Sequence, residues 1–475
     1  MISSLKGGRL RIMESLLQEE SIMDMDFLKA IDEKQNEIIQ LADTVWENAE
    51  IAFKEYKSSA ALIEYLKKND FRIEENIGGL PTAFTATYGE GTPRIGFIAE
   101  YDAISDLSQL AQTPEQKKDP ERVHGHACGH HLYCAGAVAA ALAVQAYLKK
   151  TGRKGSVTVL GCPGEEGSFG KAYMARTDVF RSLDAAMGGH PGCMWAVRTR
   201  PSLACCSVLY KFDGRSSHAG ASPHLGRSAL DAVELMNVAV NFLREHIPYD
   251  NRVHYAITDA GGNAPNVVQP HAEVMYMMRA SDNAALNSLC KRVHKCAQGA
   301  AIATETTFTS DFHSACSNII TIPTLQKNLY KAMASIPLPV PDENDLAFGE
   351  KIAETFIDRK KDQPLYPTEL LPIPDVITPH FGSTDTGDVS WNCPTVQMHV
   401  GSWVIDTPGH SWQTVAQGKN PFARRAMLYA GKALALAAVQ LFEDPEILIQ
   451  AKKEHLAKTG GVYEPAMPPD VMPHL

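Results

Sequence analysis

The chain is 475 residues long, 44% hydrophobic and 21% charged, with a formal net charge of -10. That length permits two or three domains with sizeable cores, and the composition is that of a folded globular protein rather than a disordered one. The acidic balance, with a pI near 5.9 and no basic stripe, argues against a nucleic-acid partner. No uninterrupted apolar run reaches the roughly 18 residues needed to span a bilayer, so no membrane partner is expected.

Residues 1–24 are polar and mixed in charge, without the apolar core of a signal peptide, and read either as a ragged extension or as part of an early start site, since Met23 and Met25 follow closely. The ten cysteines are scattered apart from Cys205-Cys206, with no CxxC pair and no disulfide spacing. The expected compartment is therefore a reducing cytoplasm. From 26 to 70, Ile38, Ile39, Leu41, Val45 and Trp46, then Leu62, Ile63, Tyr65 and Leu66, repeat at helical spacing and predict two helices. Ala83 to Tyr88, the turn Gly89 to Pro93 and Arg94 to Glu100 read as a β-hairpin. A loop rich in His and Cys leads into an Ala-rich buried helix around Ala135 to Leu148. Gly155 to Cys162 is a strand ending at two glutamates, and Asp184 to His190 is a strand ending at a histidine.

The pattern then changes. Leu203–Phe212 is a strand, Ser228–Glu245 a helix, Val253–Asp259 and Glu273–Ala280 strands, Asn283–Ala301 a helix and Thr306–Phe312 a strand. This β-α-β-β-α-β order is that of a ferredoxin-like unit. It looks inserted, because the strand-and-ligand pattern resumes only afterwards. A Pro-rich segment over about 335–380 carries one helix near Leu346 to Ile357; Thr395 to Val400 is a strand, and a long helix, Ala423 to Phe442, closes the fold. The expected fold class is α/β: a catalytic domain with a mixed sheet flanked by helices, plus an inserted ferredoxin-like α+β domain. The expected boundaries are 26–202 and 319–475 for the two parts of the catalytic domain, and 203–318 for the insert.

Four short stretches carry metal-ligand chemistry: His126-Ala-Cys128-Gly-His130-His131, Pro163-Gly-Glu165-Glu166-Gly167, Gly189-His190-Pro191 and Pro408-Gly-His410-Ser-Trp412. Thiolate, imidazole and carboxylate together suit a divalent ion of the zinc or manganese kind. Each stretch also has a plain structural reading: a buried cysteine beside core histidines, a solvated acidic turn, or a satisfied histidine. Their common position at the ends of strands favours convergence, since that edge of an open α/β sheet is where sites gather. Adjacent side chains diverge, so one of Glu165 and Glu166 is able to bind metal while the other takes a proton from water. Ser217-His218-Ala219-Gly220 follows the first strand of the insert, Asn266 sits in a turn and Arg279 ends a strand. A loop cap, a turn asparagine and an edge charge are their plain readings.

In combination, His126-Ala-Cys-Gly-His130, Gly161-Cys-Pro-Gly-Glu-Glu-Gly167, Ser222-Pro-His-Leu-Gly-Arg-Ser-Ala-Leu-Asp-Ala232, Pro265-Asn-Val-Val268, Gly382-Ser-Thr-Asp-Thr-Gly-Asp-Val-Ser-Trp391 and His410-Ser-Trp-Gln413 resemble the aminoacylase/carboxypeptidase family of dinuclear metallopeptidases. The likeness covers residues 26 to 445. It is strongest to the branch that holds the p-aminobenzoyl-glutamate hydrolases and more distant to the indole-3-acetyl amino acid hydrolases. The resemblance implies two divalent ions, Mn2+ or Zn2+, with Cys128 bridging and His130, Glu166, His190 and His410 completing the sites. It implies Glu165 as general base and then acid. It further implies that His218 steadies the oxyanion in a partner's active site, and that Asn266 and Arg279 hold the substrate, Arg279 on the free carboxylate. The insert would be a lid and dimerisation domain, and the assembly a homodimer or a heteromer with a related subunit. The implied reaction is hydrolysis of the amide of a small N-acyl or N-aroyl amino acid, or of a β-alanyl dipeptide. One position departs from the pattern: after Cys-Gly-His the relatives carry Asp or Asn, and here it is His131, a change expected to act on ligand orientation and metal preference.

Overall fold

The computed structural model describes residues 25–360, 362–378 and 381–475; the segment read as a ragged extension lies outside them. The two early helices are α1 (Gln35–Asn48) and α2 (Tyr56–Lys68), which bury Ile38, Leu41, Val45 and Trp46, and Leu62, Ile63 and Leu66. A single apolar stripe facing the core accounts for both. Strands β1 (Arg72–Glu75), β2 (Phe84–Glu90), β3 (Arg94–Glu100), β4 (Gly155–Cys162), β5 (Ala185–Gly192) and β6 (Ala196–Val197) follow. Next come β7 (Ala204–Asp213), β8 (Arg252–Asp259), β9 (His271–Ala280) and β10 (Thr307–Cys316), and finally β11 (Thr395–Gly401).

The larger sheet has the order β1-β2-β4-β3-β5-β11-β6 and is mixed. The expected β2–β3 hairpin is a correction. Both strands exist, but β4 lies between them, antiparallel to β2 and parallel to β3, with Thr87 opposite Thr158 and Phe97 opposite Val159. All eight residues of β4 are buried. A strand so placed must pair its N–H and C=O groups on both edges, which two flanking strands achieve and a closed hairpin would prevent. Helix α3 (His130–Thr151) is buried along almost its whole length against this sheet.

The smaller sheet is antiparallel in the order β10-β7-β9-β8. Helices α4 (Ala229–Leu243) and α5 (Asn283–Thr304) pack on each other and on its strands. Side chains of Ser228 and Asp282 cap their first turns by accepting from Asp231 N–H and Ala285 N–H. The chain order is β-α-β-β-α-β, as expected, and the last strand lies beside the first.

Helix α6 (Pro323–Ala334) has no counterpart among the expected elements. Helix α7 spans Glu343–Ala353 rather than 346–357: a capping box between Asp342 and Asp345 starts it early, and Ile357 beyond its end is almost fully exposed. Helix α8 (Thr386–Asn392) precedes β11. The long helix α9 (Pro421–Glu443) is as expected, but it does not close the fold. Asp444 accepts from Glu446 N–H and Pro445 opens a further helix, α10 (Pro445–Thr459). The Asp-Pro pair is the cap-and-first-position signal that marks this start. By length and composition alone α3 and α9 are apolar enough to cross a membrane. They pack on each other in the core instead.

Candidate active site

The site forms where β3, β4 and β5 end and α3 begins. Cys128 lies in the loop before α3, and His130 is the helix's first residue. Gly129 between them has φ 80°, and a Cβ there would stand 2.7 Å from the Trp403 ring. Only glycine makes this turn and lets the two donors face one centre. At the end of β4, Gly164 has φ 65° with a virtual Cβ 2.6 Å from the Phe53 ring. This left-handed step delivers Glu165 and Glu166 in different directions.

The donor atoms gather as two sets that share Cys128. One is Cys128, His130 and His190; the other is Cys128, Glu166 and His410; in each, the donor atoms lie within 4.8 Å of one another. Cys128 Sγ is 3.3 Å from His190 Nε2, and His190 Nδ1–H donates to the Pro191 carbonyl at 2.8 Å. That bond leaves the Nε2 lone pair facing the thiol. His130 Nδ1 is 2.8 Å from Asp102 Oδ1, which turns Nε2 into the cluster. His410 Nε2 is 3.4 Å from Glu166 Oε1. His130 Nε2 and Glu166 Oε1 are buried with no hydrogen-bond partner among the described residues. Orphaned donors aimed at one spot are the fit expected of a cation site.

Glu100, His130 and Glu165 make a third set within the same separation. Glu100 is already neutralised: its Oε1 is 2.7 Å from Lys171 Nζ, and Lys171 Nζ is 2.6 Å from Asp385 Oδ1. All three are buried. Burial opposes the charge on Lys171, but Asp385 and Glu100 outweigh it and hold its pKa well above the usual value. Among the described residues, Glu165 has no such cation paired with its carboxylate. Burial, then the charge of Glu100, raises its pKa, which suits a proton acceptor. Burial pushes the Cys128 thiol up to about 12, so a nearby cation is what would hold it as thiolate.

Several residues of the site are not among the candidates read from the sequence. Asp102 holds both His130 and the Glu166 backbone N–H, the latter at 2.8 Å. Glu55, fully buried at the start of α2, accepts from Gly164 N–H at 2.8 Å and from the Thr82 hydroxyl at 2.9 Å. Arg198, just after β6, donates to Gln397 at 3.1 Å, and its charge lowers the pKa of neighbouring His190 behind burial and His130. The one sequence signal for the first of these is the pair of acids, Glu100 and Asp102, at the end of β3. His131, the departure from the pattern, is turned away from the candidate ligands; its Nε2 is 2.9 Å from the Gly418 carbonyl and its ring lies 5.0 Å from that of His126.

His218 and Asn266 are not brought into these sets. They lie together on exposed loops of the smaller sheet, where Ala219 N–H donates to the Asn266 carbonyl at 2.9 Å. His218 Nδ1 accepts from Gly220 N–H at 3.2 Å and Ala221 N–H at 3.1 Å. A neutral ring held this way carries its proton on Nε2, pointing outward as a donor. Arg279, on β9, donates to Ser383 Oγ at 2.7 Å, in the loop that precedes α8.

The model of peptidase family M20/M25/M40 matches residues 96–358. The chain is 37% identical to the B subunit of p-aminobenzoyl-glutamate hydrolase from Escherichia coli, over 94% of this chain and 97% of that one. It is 29% identical to the mouse Xaa-Arg dipeptidase, over 90% of this chain and 91% of that one. The solved structure of the Bacillus subtilis YXEP protein, described as a dinuclear metal binding peptidase from the M20 family, superposes with a TM-score of 0.57 at 16% identity, covering 87% of this chain and 99% of that one. That likeness establishes the fold. The chain belongs to peptidase family M20/M25/M40, a family of hydrolases.

Proposed function

We propose that the chain is a cytoplasmic, metal-dependent amidohydrolase that cleaves an N-acyl or N-aroyl amino acid of the p-aminobenzoyl-glutamate kind and releases the free amino acid. The observation that carries this reading is one thiol, Cys128, shared by two donor sets beside a half-buried carboxylate, Glu165, left over for proton transfer. Cys128, His130 and His190 would hold one divalent ion, and Cys128, Glu166 and His410 the other, each Mn2+ or Zn2+. When bound, such a pair supplies Lewis acidity that polarises the amide carbonyl and makes water a better nucleophile. Glu165 takes the proton from the attacking water and returns it to the departing nitrogen. Asp102 keeps the His130 ring oriented, and Glu55 anchors the turn that carries Glu165.

Residues 203–318 are read as a lid and dimerisation unit. In support, α4 presents Leu235, Val238 and Phe242 to solvent at helical spacing, and β8 adds Tyr255 and Ile257. An exposed apolar stripe of this kind fits a second copy of the chain. In that arrangement the exposed His218 would donate to the oxyanion forming in the partner's site, while Asn266 and Arg279 hold the substrate, Arg279 on its free carboxylate. The E. coli relative is named as one subunit of its hydrolase, which favours a second reading in which a related chain is required for activity.

The test is glutamate release from p-aminobenzoyl-glutamate by the purified single chain with added Mn2+ or Zn2+, with and without chelator. A dipeptide ending in arginine serves as the comparison substrate. Chelator-sensitive release supports the reading. Activity that appears only with a related chain supports the second one. No hydrolysis under either condition across a panel of N-acyl amino acids overturns both. Cys128→Ala should lose at least one ion by elemental analysis, and an unchanged count rejects the bridge.

A further inference from the structure

Five of the cysteines sit in or beside the smaller sheet and its helix α5: Cys205, Cys206, Cys290, Cys296 and Cys316. Two of them meet. Cys206 on β7 and Cys290 on α5 place their sulfurs 3.0 Å apart, 84 residues apart in the chain. A disulfide needs about 2.05 Å, so closure asks for a shift of about 1 Å. Cys205 is no competitor, because adjacent strand residues face opposite sides of the sheet and Cys205 lies on the Ser383 side.

The two thiols differ in access. Cys206 is 1% exposed, whereas Cys290 is partly exposed and lines a surface cavity of about 460 Å³. Lys291, His294, Lys295 and Gln298 from the same helix share that cavity, with Tyr210, Ser310 and Phe312 from the sheet. Two lysines beside the accessible sulfur suit an anionic thiol of tripeptide size. The buried partner is held as a thiol: its hydrogen bond to Cys290, then burial, keeps its pKa well above the ordinary value.

We infer that Cys206 and Cys290 form a thiol–disulfide exchange site, in which Cys290 reacts first with a low-molecular-weight disulfide of the glutathione class and Cys206 resolves the adduct. In the first step the Cys290 thiolate attacks one sulfur of the oxidised tripeptide, forming a mixed disulfide and expelling one tripeptide thiolate. In the second, Cys206 loses its proton and attacks the Cys290 sulfur, forming the Cys206–Cys290 bond and expelling the second thiolate. Two protein thiols are oxidised, one tripeptide disulfide is reduced to two thiols, and the protons released by the cysteines are taken up by the leaving thiolates.

The site is tested on the full chain by incubation with oxidised glutathione, alkylation and peptide mapping by mass spectrometry. The expected result is a Cys206–Cys290 linked peptide in the native chain, its absence in Cys290→Ser, and one glutathione retained on Cys290 in Cys206→Ser, because the resolving thiol is gone. Native chain that keeps glutathione on Cys290 without the linked peptide, or Cys206→Ser that retains none, overturns the assignment. Circular dichroism of both variants checks that each is folded before the outcome is scored.

Discussion

The larger and smaller sheets solve opposite problems. Around the larger sheet the chain buries charge: Glu100, Asp102, His130, Lys171 and Asp385 are all at or near zero exposure, and each is tied to another by an ion pair or a hydrogen bond. The core of the smaller sheet is apolar, built from Val233, Met236, Val274, Tyr276, Met278 and Val293, and its candidate functional groups His218 and Asn266 are on the outside. A buried polar network fixes its members in one arrangement, whereas exposed loops remain free to meet a substrate or a partner. The difference separates a preassembled centre, which should fail abruptly when altered, from a peripheral contribution that should fail only in turnover.

The largest effect is expected at Glu165. Glu165→Gln should reduce turnover by about 10⁴-fold, the upper range for a lost general base, while the metal content by elemental analysis stays unchanged. Near-normal turnover would remove Glu165 from its role. Next is Lys171→Met, which leaves Glu100 and Asp385 buried without their cation. It should lower folding stability by about 3–5 kcal/mol in denaturant unfolding. A loss within the scatter of a surface substitution would show that the network is not what fixes the preassembled centre.

His218→Ala should leave stability nearly unchanged and lower kcat by about 10²–10³-fold, the cost of one oxyanion donor. Mixed with Glu165→Gln chains, it should regain partial activity in hybrid dimers if the histidine acts across the interface. No recovery after proven subunit exchange would return it to its own chain. A further expectation is a pH dependence. Burial, then Asp102, pushes Glu55 up to about 8 from its ordinary 4.5. The folded state therefore binds this proton more tightly than the unfolded chain does. Its contribution is full below about pH 4.5 and is lost as pH rises through about 8, so stability should decline across that window. Glu55→Gln should flatten that part of the curve in unfolding measured at several pH values, and an unchanged slope would show the carboxyl is not the source.

Much of the site is legible in the sequence because the donors sit at the ends of short, strongly patterned elements. Cys128, His130, Glu166, His190 and His410 each stand directly beside a glycine, and the two periods of the surrounding apolar residues identify strands and helices. What stays hidden is of two kinds. Nothing in the sequence pairs Lys171 with Asp385, 214 residues apart, and only the packing of the short helical turn after β4 against the start of α8 buries them together. The Gly89 to Pro93 turn looks like a hairpin because local turn chemistry says nothing about a third strand arriving from much later in the chain.

The sequence alone determined which residue types are available for the chemistry, the order of most helices and strands, and the family whose motifs they match, because side-chain periodicity and turn residues are local properties. Only the tertiary structure decided that β4 divides β2 from β3, that Asp102 orients His130, that Lys171 neutralises Glu100 and Asp385, and that Cys206 meets Cys290. Each of those depends on satisfying buried polar groups or filling space between segments far apart in the chain, and that requirement acts only once the segments are packed.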